Sequence, residues 1–284
     1  MTTERKLEQK VRSMETADGD GVKIRRIGGQ AMQQRMDPFL MLDEFNSDQS
    51  ADYMGGFPSH PHRGFETITY MKAGKMRHRD HMGNEGVIGP GDVQWMTAAR
   101  GVIHSETPEQ LDGLMQGFQI WLNLPGAEKM KPAAYHDFNA GELARAKSAR
   151  GSEIAVIAGS VAVSFGAEPQ QQLEGPLPAM TTKPHLIEIE LAADEAVELS
   201  FNREEPAFVY VFEGATTGLK QWEMGLYSAG ESLKLSATNN GATLLVLSGK
   251  PIKEPIAQYG PFVMNTRAEL EQAMSDYRSG VLTD

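Results

Sequence analysis

The sequence predicts an all-β protein made of two tandem β-barrels, with one short helix near the C-terminus. Three observations lead to this fold class: many short strand-like stretches between turns, an internal repeat, and a single amphipathic helical segment. A length of 284 residues agrees with one large or two ordinary domains. Each of these observations predicts particular elements along the chain.

Strand-like stretches separated by glycine and proline run from Val22 to about Asn123, for example at 66–71 and 117–122. Short strands with frequent turn signals are typical of a β-sandwich or barrel. The pattern stops at the Leu-Pro-Gly of 124–126, and a connector rich in Ala, Lys and Gly follows. Strand signals resume at 153–158 and 185–191, so we expect a second set of strands there.

Two segments of the first half resemble two segments of the second half. YMKAG at 70–74 resembles YVFEG at 210–214, and GVIGPGDV at 86–93 resembles GLYSAGES at 225–232. Chance similarity between β-turns is one explanation, but the two matches share nearly the same offset. We therefore predict two copies of one barrel unit, with domains at 1–135 and 136–284.

The final segment predicts a helix over about 267–278, inside the second domain. Thr266 suits the N-cap position, Glu269 suits the capping box, and Gly280 suits the C-terminal end. The expected apolar face consists of Leu270, Ala273, Met274 and Tyr277.

Composition excludes cysteine-based sites and argues against some partners. The chain has 27 Lys and Arg residues and 38 Asp and Glu residues, which gives a net charge of −11. This acidic charge argues against nucleic-acid binding, which requires a basic face. No apolar run approaches the roughly 20 residues that cross a bilayer, and the N-terminus has no signal-peptide pattern. We therefore expect a cytoplasmic protein without a membrane segment, and a monomer. Because cysteine is absent, any metal must be bound by nitrogen and oxygen.

Five of the seven histidines lie between His60 and His104. In a strand, residues i and i+2 point to one face roughly 7 Å apart. His60 and His62 have this spacing, and so do His104 and Glu106. If the two strands are neighbours, three imidazoles and one carboxylate converge. Such a set suits Fe, Mn, Ni, Co or Zn and leaves open positions on an octahedral metal.

The other histidines are predicted to have no metal role. His78 and His81 lie in the polar stretch RHRDHM and are expected to be solvated, while His136 and His185 are expected to be structural. When the repeat offset of 139 to 140 residues is added to the four ligand positions, the equivalent positions in the second half carry other residues. The second barrel is therefore expected to lack the ligands. These replacements are Ser200, Asn202, Thr243 and Leu245.

Four long motifs resemble the pirins, which are two-barrel members of the cupin superfamily. They are FLMLDEF at 39–45, FPSHPHRGFET at 57–67, GPGDVQWMTAARGVIHSETP at 89–108 and YGPFVMNT at 259–266. The resemblance covers nearly the whole chain. It implies two cupin (jelly-roll-like) barrels packed face to face, with one metal ion in the N-terminal barrel.

The pirin pattern also implies the ligands and the metal. It assigns the ligand role to His60, His62, His104 and Glu106. Glu66 fits the wider cupin pattern H-x-H-x3-E, but in pirins the glutamate after the third histidine takes that place. We therefore expect Glu66 to lie beside the ligand set or to be structural. Iron(II) is the first expectation, and Mn, Ni, Co, Cu and Zn are alternatives.

The resemblance implies an activity and an alternative to it. Some pirins resemble quercetin 2,3-dioxygenases, which open a flavonol ring with O2 and release carbon monoxide. The first prediction is therefore a dioxygenase with a flavonol-like aromatic substrate. The alternative is a non-catalytic, iron-binding regulator of a partner protein, transcriptional or metabolic. A third hypothesis is metal-dependent isomerisation or hydrolysis of a small sugar or acid, which other cupins perform.

The dioxygenase prediction assigns two further roles. Glu106 would accept the proton of the flavonol hydroxyl, but a carboxylate held tightly by a cation is a poor base. It would therefore bind the metal weakly or move away from it, or another base would act. The substrate pocket is expected to be apolar. Its candidate residues, each of which could equally pack in the core, are Phe57, Trp95, Met96 and Phe118.

Overall fold

The computed structural model describes residues 2–177 and 180–284. Strands dominate this part of the chain. The elements of its first half are β1 (Leu7–Arg12), β2 (Met14–Asp18), β3 (Val22–Gly28), α1 (Gln33–Met36), β4 (Phe39–Ser47), β5 (Phe57–His62), β6 (Phe65–Ala73), β7 (Met76–Asp80), β8 (Glu85–Ile88), β9 (Val93–Thr97), β10 (Val102–Pro108), β11 (Met115–Asn123) and β12 (Ala134–Phe138).

The second half continues with short strands and ends in a helix. Its elements are β13 (Ala144–Lys147), β14 (Glu153–Ala158), β15 (Ser160–Phe165), β16 (Gln171–Glu174), β17 (His185–Leu191), β18 (Ala196–Ser200), β19 (Ala207–Thr216), β20 (Glu223–Tyr227), β21 (Ser232–Ser248), β22 (Ala257–Tyr259), β23 (Phe262–Met264) and α2 (Arg267–Arg278). The predicted all-β class with a short C-terminal helix is confirmed.

The chain divides into two compact units. Each unit consists mainly of one half of the chain and also includes the terminal segment of the other half. The histidine-bearing unit consists of 14–140 and 252–284. The second unit consists of the residues up to Ser13 and of 141–251. The predicted division at 135/136 lies close to the observed one at 140/141. The chain ends, however, belong to the opposite units from those that a linear division gives them, because β1 pairs with β20.

The histidine-bearing unit contains two larger antiparallel sheets. A seven-stranded sheet has the order β12-β9-β6-β11-β4-β3-β2, and a four-stranded sheet has the order β5-β10-β7-β8. The hairpin β22-β23 and helix α2 complete the unit. Leu270 and Ala273 of α2 pack against Phe262 and Leu282, and Ile103 of β10 contacts the same cluster. The C-terminal segment therefore packs against one of the strands predicted to carry metal ligands.

The second unit forms one ten-stranded antiparallel sheet around an aliphatic core. Its central path is β1-β20-β19-β21-β17-β14-β13, and a branch runs from β21 through β18 and β15 to β16. Val, Leu and Ile side chains such as Val156, Ile187 and Leu244 fill the core and are fully buried. Apolar burial of this extent is the main stabilising contribution in such a unit.

Helix α2 begins and ends as its sequence predicts. The side chain of Thr266 accepts from the backbone N–H of Glu269, and the Glu269 side chain completes a capping box. Gly280 has a φ of 74°, the left-handed region that favours glycine after a helix. Among residues 2–177 and 180–284, no helix is long and apolar enough to cross a membrane.

Candidate metal centre

Two neighbouring strands bring three of the predicted ligands together. Strand β5 carries His60 and His62 on one face because side chains alternate along a strand. Strand β10 pairs with β5 in an antiparallel register that places His104 opposite His60. The convergence that the sequence makes conditional on neighbouring strands is therefore present.

The three imidazoles meet through their Nε2 atoms. The Nε2 atom of His60 lies 3.0 Å from that of His62 and 2.9 Å from that of His104. Metal–nitrogen bonds of about 2.1 Å at right angles would separate the two nitrogens by about 3.0 Å. Lone pairs this close repel unless a proton or a cation lies between them. The three histidines thus fit a divalent transition metal with right-angled ligands.

Burial keeps two of these histidines in the form that binds metal. His62 and His104 are each only 2% exposed. Burial, and then the neighbouring imidazoles, hold the pKa of both side chains well below the usual range. The third, His60, is half-buried, and its Nδ1 lies 2.8 Å from the carbonyl of Pro58. A neutral imidazole that donates this bond from Nδ1 has its free lone pair on Nε2. A neutral imidazole with a free nitrogen is the ligand form.

Glu106 is buried beside His104 and is held by polar neighbours. Its carboxylate accepts from Nε2 of Gln119 at 2.9 and 3.1 Å and from the Thr69 hydroxyl at 3.3 Å. A Glu106 oxygen and one nitrogen each of His78 and His104 lie within 4.8 Å of one another. The ligand role of Glu106 stays a prediction, and the amide of Gln119 fixes where its carboxylate points.

The expectation of a solvated His78 is wrong, because the side chain is fully buried. Strand β7 pairs with β10 and places His78 opposite Glu106. Met76 and His78 are buried while Arg79 is exposed, so the alternation of this strand was the signal for an inward histidine. His81 is exposed, as expected.

A cavity of about 570 Å³ opens onto the histidine cluster. His60 and His62 form part of its wall, together with Phe57, Met41 and Trp121. A volume of this size is within the usual range for small-molecule sites. His60 and His62 thus face the cavity.

An ion pair contributes to the polar part of the same cavity wall. Arg26 binds Asp43 through two hydrogen bonds of 2.8 and 2.7 Å, and both residues line the cavity. Burial raises the pKa of Asp43, although the Arg26 guanidinium opposes this shift. Asp43 lies within the FLMLDEF motif, where a charged residue in an apolar strand was an available signal.

Comparison with known proteins identifies the family. A model described as Pirin matches residues 21–122, and a model described as Pirin C-terminal cupin domain matches residues 186–283. The chain belongs to the pirin family. The predicted cupin fold with two domains is thereby confirmed.

Named relatives cover almost the full length of this pirin-family chain. A protein of Pseudomonas aeruginosa named "Putative quercetin 2,3-dioxygenase" is 47% identical over 94% of both chains. The pirin of Homo sapiens is 32% identical over 98% of this chain and 94% of its own. The solved structure of a quercetin 2,3-dioxygenase from Acinetobacter baumannii has a TM-score of 0.88, 32% identity and 99% coverage of both chains.

One of the four predicted pocket residues lines the cavity beside the histidine cluster. Phe57 lines the cavity, but Trp95, Met96 and Phe118 are buried and are not part of its wall. On β11 the alternation directs Gln119 and Trp121 to the cavity and Phe118 to the opposite face. A shift of one residue along a strand reverses the face, so an aromatic residue near the right place was not sufficient.

Glu66 lies apart from the histidine cluster. It is fully buried on β6, accepts from the Thr97 hydroxyl at 2.7 Å and lies 3.9 Å from Nζ of Lys131. Burial raises its pKa to about 7. Its neighbour Phe65 packs against His62 with ring centroids 5.1 Å apart, so alternation directs Glu66 to the other face of the strand.

Proposed function

We propose that this protein is a metal-dependent dioxygenase of the quercetin 2,3-dioxygenase type, which opens a flavonol ring with O2 and releases carbon monoxide. The observation that carries the proposal is the cluster of His60, His62 and His104, two members of which, His60 and His62, line a cavity of about 570 Å³. The relatives named as quercetin 2,3-dioxygenases support the same reaction. The ion would be iron(II), with Mn, Ni, Co, Cu and Zn as the alternatives to test.

The proposed ligands are the three histidines and Glu106. A bound divalent metal would supply Lewis acidity, which favours ionisation of a coordinated hydroxyl. Gln119 and Thr69 hold the Glu106 carboxylate beside His104. In the proposed reaction this carboxylate would accept a proton from a substrate hydroxyl. The two donors also restrict the movement of this side chain.

The cavity wall is suited to a polyphenol because it combines apolar and polar surfaces. Trp121, Met41 and Phe57 offer contacts to aromatic rings, and Arg26 offers a guanidinium to ring hydroxyls. Arg26 is itself fixed by Asp43, so its position is set before a ligand binds. Such preorganisation lowers the entropic cost of binding.

The test is anaerobic loading with iron(II), followed by addition of quercetin and air-saturated buffer. We expect O2 consumption together with release of carbon monoxide, and loss of both in His62→Ala. His81→Ala is the matched control, because His81 is an exposed histidine outside the cluster. Turnover that persists in metal-free protein would contradict the proposal. Metal binding without turnover would favour the regulator alternative.

A further inference from the structure

His78 is a buried histidine that touches the metal centre without facing its open side. Its Nδ1 lies 3.3 Å from Nδ1 of His104, while Nε2 of His104 points at His60. The ring of His78 stacks on Tyr135 with centroids 4.6 Å apart and an angle of 28°. The stack and the full burial leave the imidazole of His78 little freedom to rotate.

The contact between the two Nδ1 atoms requires one proton, and its position decides what Nε2 of His104 can do. A neutral imidazole carries a proton on only one nitrogen. If the proton is on Nδ1 of His104, Nε2 has a free lone pair for a metal. If it is on Nδ1 of His78, then Nε2 of a neutral His104 carries a proton that points into the cluster.

Asp80 determines which arrangement is favoured. Its Oδ2 lies 3.6 Å from Nε2 of His78, beyond hydrogen-bond distance but close enough for electrostatic attraction. Both side chains are fully buried, so water does not screen this attraction. A proton on Nε2 of His78 faces the carboxylate favourably, which leaves Nδ1 of His78 as an acceptor. His104 must then donate through its own Nδ1.

We propose that His78 is a positioning residue that fixes the metal-binding tautomer of His104, with the proton on Nδ1 and Nε2 free. Asp80 favours this arrangement because it attracts the proton of His78 to Nε2. His104 corresponds in this respect to His60, whose Nδ1 is bound to the carbonyl of Pro58. Outer partners of this kind orient metal-binding imidazoles and raise their basicity. The inference rests on the proposed metal site but not on the dioxygenase reaction, so the two can fail separately.

Nitrogen-15 NMR of the metal-free protein with labelled histidine gives a direct test without any variant. Long-range couplings distinguish a protonated from an unprotonated ring nitrogen. We expect His104 to carry its proton on Nδ1, and His78 to carry its proton on Nε2. A proton on Nε2 of His104 would overturn the proposal.

Nickel(II) affinity, measured by competition with a chelator, tests the consequence. His78→Phe keeps a ring against Tyr135 but removes the acceptor, and we expect about 10- to 100-fold weaker binding. His78→Asn places an amide oxygen near the former Nδ1, and we expect most of the affinity to return. A nickel(II) affinity of His78→Phe within twofold of the wild type would overturn the proposal. Equal losses of nickel(II) affinity in His78→Phe and His78→Asn, with unchanged melting temperatures, would also overturn it.

Asp80→Asn changes the charge with little change of shape. Oδ1 of Asp80 accepts from the backbone N–H groups of Met82 and Asn84, and an asparagine keeps that acceptor. Oδ2 accepts from Nδ2 of Asn84 at 2.8 Å, and in the variant the Asn84 amide must turn its oxygen to the new amide group. The carboxylate that favours a proton on Nε2 of His78 is lost. We expect weaker nickel(II) binding and a mixture of His104 tautomers, with His81→Phe as the exposed control. An unchanged tautomer in Asp80→Asn would overturn the role of Asp80.

Discussion

Glu66 is a buried carboxyl whose ionisation opposes folding. The Glu66 side chain is fully buried, which raises its pKa. The hydrogen bond from Thr97 and the Lys131 ammonium 3.9 Å away offset this rise only in part, so the pKa is about 7. A raised pKa in the folded state means that the folded protein holds the proton more tightly than the unfolded chain does. The resulting stabilisation is complete below the unfolded pKa of 4.5 and is lost as the pH rises through about 7.

Glu66→Gln removes this pH dependence while keeping the size of the side chain. Between pH 4.5 and pH 8, we expect the free energy of unfolding of the wild type to fall by about 3 kcal/mol relative to the variant. Urea denaturation at a series of pH values measures the difference. Parallel pH profiles for the two proteins would show that Glu66 ionises normally. Substitution of exposed Glu8 by Gln is the control.

Lys129 is a buried amine that joins two parts of the histidine-bearing unit. It is 1% exposed, and Nζ donates to the carbonyls of Gly64 and Val263 and to the side chain of Asn123. Burial lowers its pKa to about 7, and only the ammonium form has the three protons that these acceptors require. Gly64 follows the H-x-H strand, and Val263 belongs to the C-terminal hairpin.

Lys129→Met should therefore destabilise the histidine-bearing unit. The carbonyls of Gly64 and Val263 would lose a buried donor, and we expect a loss of about 3 kcal/mol in the free energy of unfolding. Urea denaturation at pH 6, below the pKa of about 7, measures it. Lys75→Met, at an exposed lysine, should change the stability by less than about 0.5 kcal/mol. Equal effects at both positions would contradict the role of the buried bonds.

At the scale of residues, sequence spacing located the three clustered histidines but not the side chains that surround them. The i, i+2 rule identifies His60 and His62 because both lie on one strand. The neighbours of Glu106 come from other strands: His78 is opposite it on β7, and Gln119 reaches it from β11. Such contacts depend on register between strands, and local sequence carries no direct signal of register.

At the scale of elements, helix α2 was predicted with its correct bounds because its signals are local. The N-cap, the capping box and the terminal glycine all lie within the segment itself. The strands were harder, because their alternation shows which residues share a face but not which face is inside. Phe118, which does not line the cavity, and Leu270, which is buried on the predicted apolar face of α2, show this contrast.

Thr266→Ala tests whether the cap is as important as its geometry indicates. The variant loses the side-chain acceptor for the backbone N–H of Glu269, and we expect a cost of about 1 kcal/mol. Thermal unfolding, together with amide exchange over Arg267–Arg278, measures it. Thr266→Ser keeps the oxygen and should retain most of the stability. A loss in Ser equal to that in Ala would point to the methyl group instead of the cap.

At the scale of the whole molecule, the ends of the chain belong to units that the linear sequence does not suggest. Strand β1 pairs with β20, and Leu7 packs against the aliphatic core of the second unit. The C-terminal segment supports the histidine-bearing unit: Arg63, directly after His62, donates to Asp276 and to the carbonyl of Leu282. These pairings join residues more than 200 positions apart, which a motif-by-motif reading of the sequence does not detect.

Two matched substitutions separate the observed division from the linear one. Leu270→Asp places a carboxylate in the cluster beneath β10, and we expect at least about tenfold faster amide exchange in β5 and β10 with weaker nickel(II) binding. Leu7→Asp should accelerate exchange in β19 to β21 and leave nickel(II) affinity within twofold. A division of the chain at 135/136 would place Leu7 in the metal-binding domain and Leu270 in the other domain. It therefore predicts that Leu7→Asp weakens nickel(II) binding and that Leu270→Asp does not. Leu111→Asp, at a leucine that is 84% exposed, controls for charge, and a nickel(II) defect confined to Leu7→Asp would refute the observed division.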